Sequence, residues 1–252
     1  MEDFQSKTQK PKICILLTAT IDPKGVVFMK RNDPVIREND YINSIKMWVE
    51  NTVYSILFCE NSGYECSKIE KKLKEYMNRK TEFLQFNGQD FPRELGKGYG
   101  ELQTIKYAIQ YSNLIKGSDY VIKINGRYFM KNIEKIVSAL SHSKDIYVMA
   151  DLKRDLTWGD SRVFAFKPSF ILNYLSKFQD LINDSKGFYL EHALARAVLR
   201  AISDGHKWIP LPSKPIIVGY SGTSDTPYRV SKIRWLAGEI IHRVKKYLIE
   251  RY

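Results

Sequence analysis

The feature that most limits how this chain can fold is a set of short apolar runs, each cut off by small or polar residues. Ile13-Cys14-Ile15-Leu16-Leu17 ends at Thr18-Ala19-Thr20, and Val53-Tyr54-Ser55-Ile56-Leu57-Phe58-Cys59 ends at Glu60-Asn61-Ser62-Gly63. Tyr120-Val121-Ile122-Lys123-Ile124 breaks at Asn125-Gly126-Arg127. A strand with one wet face alternates apolar and polar residues. A run that is apolar throughout is covered on both faces, as in a parallel sheet between helical layers. Further strands fit residues 82–86, 146–150 and 163–166. Amphipathic segments alternate with them: Ile42, Ile45, Trp48 and Val49 behind a cap at Asp40, then Ile69, Leu73, Tyr76 and Met77, then residues 101–115, 169–178 and 189–202. The pattern predicts an α/β fold, a Rossmann-like, doubly wound, mostly parallel sheet with flanking helices. No repeat or linker divides it. One domain over residues 12–228 is expected, after a disordered tail at 1–11 and before a C-terminal basic amphipathic helix at 229–252. Residues 22–39 read as a long loop after the first strand, a place where function concentrates.

Composition narrows the class. The 252 residues are 44% hydrophobic and 27% charged, which excludes general disorder and rod-like folds. The longest apolar run, around Ile13 to Ile21, is too short and too polar to span a bilayer, and residues 1–8 lack the apolar stretch of a signal peptide. Cys14, Cys59 and Cys66 have no metal-type spacing. Cys14 and Cys59 sit in strand-like runs, so buried free thiols in a reducing cytosol are expected. The net charge of +12 invites an anionic partner.

In an open α/β sheet, ligands bind beyond the carboxyl ends of the strands, near the switch in strand order. The residues there are Thr18 and Thr20, then Glu60, Asn61 and Ser62, then Lys97 to Glu101, then Asn125, Gly126 and Arg127, then Asp151. Most can hydrogen-bond a ribose, a base edge or a phosphate; the plainer reading is that Gly and Asn make tight turns. The turn Gly96-Lys97-Gly98-Tyr99-Gly100 looks the most suited to phosphate. Gly98 and Gly100 allow close backbone approach, and a helix starting at Glu101 would offer free N–H groups. It matches neither a P-loop nor a dinucleotide fingerprint.

The sequence carries little that suits a metal or a nucleophile. His142, His192, His206 and His242 lack ligand spacing, no Asp-x-Asp follows a strand, and no Gly-x-Ser-x-Gly elbow occurs. No metal and no cofactor are expected, and Lys97, Lys123 and Arg127 would neutralise an anionic leaving group instead. Glu191 is the leading carboxylate. At the start of a helix striped by Leu190, Leu194, Ala197, Val198 and Ala201, it would act as a general base or merely favour the helix dipole. Asp151 is the second catalytic candidate, with Asp160 behind it as a loop residue.

At these residues the chain resembles bacterial glycosyltransferases of the GT-A type, of the kind that build capsular, O-antigen and lipooligosaccharide chains. The resembling pieces run in order from Leu16-Leu17-Thr18-Ala19-Thr20-Ile21-Asp22-Pro23 through Glu60-Asn61-Ser62-Gly63, Gly96-Lys97-Gly98-Tyr99-Gly100-Glu101 and Lys123-Ile124-Asn125-Gly126-Arg127-Tyr128. They continue with Asp160-Ser161-Arg162, Glu191 and Ser221-Gly222-Thr223, and cover about residues 13–228. The resemblance implies a GT-A-like domain whose Thr18, Thr20, Glu60 and Asn61 line a nucleotide pocket. It places residues 123–127 where other such enzymes keep Asp-x-Asp. It also implies a nucleotide-sugar donor, a saccharide or lipid-linked acceptor and Glu191 as base. This chain departs from the pattern in having no acidic pair.

Two other functions compete with sugar transfer: a sugar nucleotidyltransferase, and a basic nucleic-acid-binding protein without catalysis. The first strand's Thr18-Ala19-Thr20 replaces the denser phosphate loop of the former. The latter lacks a recognised module, so no nucleic acid is expected. Val230, Ile233, Ala237, Ile240, Ile241, Val244 and Leu248 recur at helical spacing among seven Lys or Arg of residues 229–252, with Trp235 and Tyr247 flanking. Such a helix suits an anionic membrane interface, and equally a core or a second subunit in a homo-oligomer. A cytoplasmic protein is expected, working at the cytoplasmic face of the inner membrane if the helix docks there.

Overall fold

The computed structural model describes residues 10–24, 30–76, 81–228 and 232–251. Seven strands form one sheet: β1 (Ile13–Ala19), β2 (Ser55–Glu60), β3 (Thr81–Gln85), β4 (Tyr120–Asn125), β5 (Ile146–Met149), β6 (Val163–Phe166) and β7 (Lys207–Ile209). Their order across the sheet is β7-β5-β6-β4-β1-β2-β3. β1 lies parallel between β2 and β4, and β6 runs antiparallel to both β4 and β5. This is the mixed α/β, mostly parallel architecture that the apolar runs predict.

Both faces of β1 are buried, and its two sets of side chains enter different cores. Ile13, Ile15, Leu17 and Ala19 pack with Tyr41, Ile45 and Trp48 of α1 (Pro34–Asn51), Ile69 of α2 (Ser67–Leu73) and Ile136 of α4 (Ile133–His142). Cys14 and Leu16 face Leu102 and Ile105 of α3 (Gly96–Tyr111) and Leu194 and Val198 of α5 (Leu190–Ser203). Each large side chain so buried contributes about 1.5–3 kcal/mol of transfer free energy. Cys14, Cys59 and Cys66 are all buried and unpaired. Desolvation lifts the Cys14 and Cys66 thiols to about 12.

Several boundaries differ from the sequence expectation. α1 begins at Pro34, with the Asp33 carboxylate accepting from the amides of Val35 and Ile36; Asp40 lies inside the helix and pairs with Arg31. α3 begins at Gly96, so the glycine-rich segment is its first turn, and it ends at Tyr111 before a separate turn at Asn113–Lys116. The segment after Ser169 is a short helix to Asn173, followed by a 3-10 stretch, Leu175–Leu181. β7, unforeseen, closes the sheet edge. Met77 falls outside the described residues, as do Val230 and most of the expected N-terminal tail. The terminal helix, α6, spans Lys232–Arg251.

Candidate active site

In this strand order the switch falls between β1 and β4, because the chain leaves β1 for β2 on one side and returns through β4 on the other. Thr18 and Asn125 are direct partners in that register, which brings Thr20 and Arg127 together beyond the edge. A cleft opens there. It is lined by Thr18, Thr20, Arg37, Tyr41, Lys97, Glu101, Thr104, Asn125, Arg127, Tyr128, Ser161, Arg162, Glu191, the turn Ser221-Gly222-Thr223 and Tyr228.

Just past the end of β4, Gly126 comes close to β1. Its amide donates to the Thr18 carbonyl at 2.8 Å, and a Cβ there would stand 2.7 Å from the same oxygen. Gly126→Ala is expected to cost on the order of 1–3 kcal/mol of stability through overpacking, read as a lower denaturant midpoint. A wild-type midpoint would show that the edge can yield.

One wall is a buried relay. The Lys123 ammonium, with no solvent exposure, pairs with Glu101 and donates to the Ser161 carbonyl at 2.6 Å. Thr18 Oγ1 donates to Glu101 Oε1 at 3.0 Å, and Ser161 Oγ donates to Glu191 Oε1 at 2.8 Å. Glu191 sits in the first turn of α5, where a helical amide-nitrogen environment favours a carboxylate and where Tyr189 N–H donates to His192 Nδ1 at 3.0 Å. The opposite wall is cationic. Arg127 is buried and donates to the Tyr220 carbonyl at 3.0 Å, while its buried Nε–H makes no hydrogen bond. Lys97 Nζ donates to Thr223 Oγ1 at 2.8 Å. Arg37 donates to the Thr20 and Arg31 carbonyls, and desolvation, then the nearby Arg127 charge, lower its pKa against the help of Tyr41. Arg162 is tied to Asp160, whose carboxyl stays well below its usual range despite desolvation because Arg162 and Lys153 hold it ionised. Two loops close over the cleft. Gly222 O accepts from the amides of Lys30 and Arg31, and Arg31 bridges Asp40 and Asp225.

Of the residues expected from sequence, Thr18, Thr20, Lys97, Glu101, Asn125, Arg127 and Glu191 line the cleft. The others do not, each for a visible reason. Glu60 is fully buried and binds the amides of Ile21, Ser62 and Tyr64; desolvation raises its pKa against these bonds. Ser62 Oγ is bound to Glu60. Asn61 lies one layer beneath, accepting from Thr20 Oγ1 at 2.7 Å and donating to the Gly100 carbonyl at 3.0 Å. Lys123 is the sealed floor of the wall, and Gly126 is the hinge of two strands. Asp151 belongs elsewhere: its Oδ1 accepts from the Leu211 amide, and its Oδ2 faces His242 of α6 at 3.7 Å. Arg37, Tyr41 and Thr104 are lining residues that the sequence pattern did not single out.

The glycine-rich segment is also put to another use. Gly98 and Gly100 pack against Leu190 and Phe91, and the anion position at the start of α3 is taken by the protein's own Asp184. Gly96 has φ +78°, and a Cβ on it would lie 2.3 Å from Asp184 Oδ2. Burial lifts the Asp184 pKa to about 6, against the amides of Gly98 and Lys97, and Glu191 adds to the rise; neither oxygen closes a hydrogen bond of full geometry. A carboxyl raised above its unfolded value of 3.8 binds its proton more tightly in the folded chain. Its stabilising share is complete below that value and is lost as pH climbs through about 6. We expect unfolding free energy to fall by about 1–2 kcal/mol across this window, after solvent screening, and Asp184→Asn to flatten that slope. Denaturant melts at several pH values give the answer; an unchanged slope in the variant would assign the effect elsewhere.

The resemblance would set a divalent cation beside residues 123–127. The residues present do not fit one. Glu101, the nearest carboxylate, is engaged by Lys123 and Thr18, and among the described residues no three His, Cys, Asp or Glu side chains converge.

No family model matches the chain, and no curated protein does. Solved structures do resemble it. The inositol-1-phosphate CTP transferase from T. maritima aligns over 92% of this chain and 97% of its own at 14% identity, with a TM-score of 0.49. A protein described as a nucleotide-diphospho-sugar transferase from Desulfovibrio desulfuricans aligns over 79% of each chain at 14% identity and a TM-score of 0.47. Mouse xyloside xylosyltransferase 1 aligns over 80% of this chain and 84% of its own at 10% identity and a TM-score of 0.46.

Proposed function

We propose that the chain is a glycosyltransferase, moving a sugar from a nucleotide-activated donor to a glycan or lipid-linked saccharide acceptor in surface polysaccharide biosynthesis. The observation that carries this reading is the two-sided cleft. Arg127, Lys97 and Arg162 line it, and Glu191 stands there held by Ser161. The acceptor hydroxyl oxygen forms a bond to the anomeric carbon as its proton passes to the Glu191 carboxylate. The bond from that carbon to the donor phosphate breaks, and its electron pair leaves on the nucleotide. Arg127 and Lys97 meet the charge that develops there, in a site where preorganised cations act without reorganisation. Thr18, Thr20 and Asn125 supply hydrogen bonds to the nucleoside. No step requires a metal.

A panel of nucleotide sugars tests this through slow donor hydrolysis. The expected result is nucleotide release from one or a few donors, saturable in donor and absent from a chain lacking Arg127. Release from none of them, by a folded protein, would remove the proposal.

A further inference from the structure

α6 is docked with its polar side inward. Glu239 is buried and accepts from the Lys214 amide at 2.8 Å, His242 Nε2 bonds the Leu211 carbonyl at 2.7 Å, and Trp235 Nε1 reaches the Lys214 carbonyl at 3.4 Å. Asp151, facing His242, belongs to this seam. The opposite side is apolar and open. Ile233, Leu236, Ile240, Ile241, Val244 and Tyr247 are between 53% and 83% exposed, at spacings that keep them on one side of the helix. Elsewhere among the described residues exposed large apolar side chains stand singly or in pairs, as with Val35 and Ile36 or Leu199 and Ile202; this helix gathers six. The polar docking contacts fix that orientation, so packing on the core does not account for the stripe. A contiguous exposed apolar stripe marks an interaction surface.

We infer that this stripe docks on an anionic lipid surface. Charge decides between that and a second copy of the chain. Beside the stripe, the sequence of α6 carries six Lys or Arg: Lys232, Arg234, Arg243, Lys245, Lys246 and Arg251. The helix holds only two acids, Glu239 and Glu250, and Glu239 is buried in the docking seam. Two copies facing each other would set cations against cations on a chain of net charge +12. Anionic headgroups complement this excess of cations while the stripe enters the acyl boundary. Among the described residues no helix is long and apolar enough to cross a membrane, so the attachment is to one surface. The placement also has a consequence for access. Tyr228, which lines the cleft, precedes Lys232 by four residues, a reach of at most about 14 Å along an extended chain. A docked helix therefore holds the cleft rim close to the lipid surface.

The test is sedimentation of the full chain with vesicles of phosphatidylcholine alone and of phosphatidylcholine with phosphatidylglycerol. It needs no donor or turnover, so it stands apart from the proposed chemistry. Binding is expected to the anionic vesicles at low salt, with each cation near the surface adding about fivefold, and to disappear at about 1 M salt. Ile240→Glu with Val244→Glu should abolish it without changing the melting temperature, because both sites are exposed. Three results would overturn the inference: no sedimentation of the wild-type chain, equal binding to neutral vesicles, or equal binding by the variant. A wild-type dimer that the same pair of substitutions dissolves, with no vesicle binding, would overturn it too and make a second copy the occupant.

Discussion

Glu191→Gln is expected to lower turnover by roughly two to four decades while leaving the fold and donor affinity nearly unchanged. Gln keeps an oxygen for the Ser161 hydroxyl, so the 2.8 Å bond that orients the side chain survives. What is lost is the capacity to take the acceptor's proton as the new glycosidic bond forms. Its place in the first turn of α5 makes a purely structural role the competitor, and there the charge would contribute only about 0.3–1 kcal/mol to stability. The two roles separate cleanly. A fall in melting temperature that tracks the fall in activity would support the structural role, and near-normal turnover would end the assignment.

Arg127→Ala should cost a comparable amount by a different route, on the order of 2–4 kcal/mol of transition-state stabilisation. The side chain is buried, points into the cleft rim at the β4 edge and keeps an unpaired Nε–H. Its guanidinium donates to the Tyr220 carbonyl, so it also ties down the 219–228 segment. Arg127→Lys retains a charge but not the planar fork, and should recover part of the turnover. Normal turnover by a stable Arg127→Ala protein would exclude the leaving-group role. Equal loss in the Ala and Lys variants, with loosened proteolytic protection of the segment, would point to the loop contact instead.

The sheet was legible because its central strands are apolar on both faces, and nothing else of six or seven residues reads that way. The positions of Thr18, Asn125 and Arg127 followed from the switch-point rule alone. The glycine cluster misled for a physical reason. Glycine is a poor helix former, so Gly96-Lys97-Gly98-Tyr99-Gly100 reads as a turn, yet Asp184 stands where a Cβ of Gly96 would lie, and Leu190 and Phe91 crowd Gly98 and Gly100 in the first turn of α3. Tertiary contact overrode propensity. The end of β2 misled in the opposite way, since Glu60, Asn61 and Ser62 spend their hydrogen bonds on the protein itself. Asp33-Pro34 carried a stronger start signal for α1 than Asp40, because proline suits the first helical position and Asp the cap before it. Arg37 and Tyr41 were out of reach from sequence. On α1 they look like any residues of an amphipathic helix, and only the packing of α1 over β1 turns them toward the cleft. For α6 the periodicity was plain, but which side faces the core depends on Leu211, Lys214 and Asp151, which lie far off in sequence.

The central claim concerns which bond the cleft breaks, and the same sheet architecture could also serve transfer of a nucleotidyl group. The direct measurement is the identity of the released product by mass spectrometry, with each nucleotide sugar offered alone and each nucleoside triphosphate offered with a sugar phosphate. Sugar transfer predicts free nucleotide plus free or transferred sugar from the first mixture, lost in Glu191→Gln, and no pyrophosphate from the second. Pyrophosphate from the second mixture, with the nucleotide sugars left intact, would contradict the account.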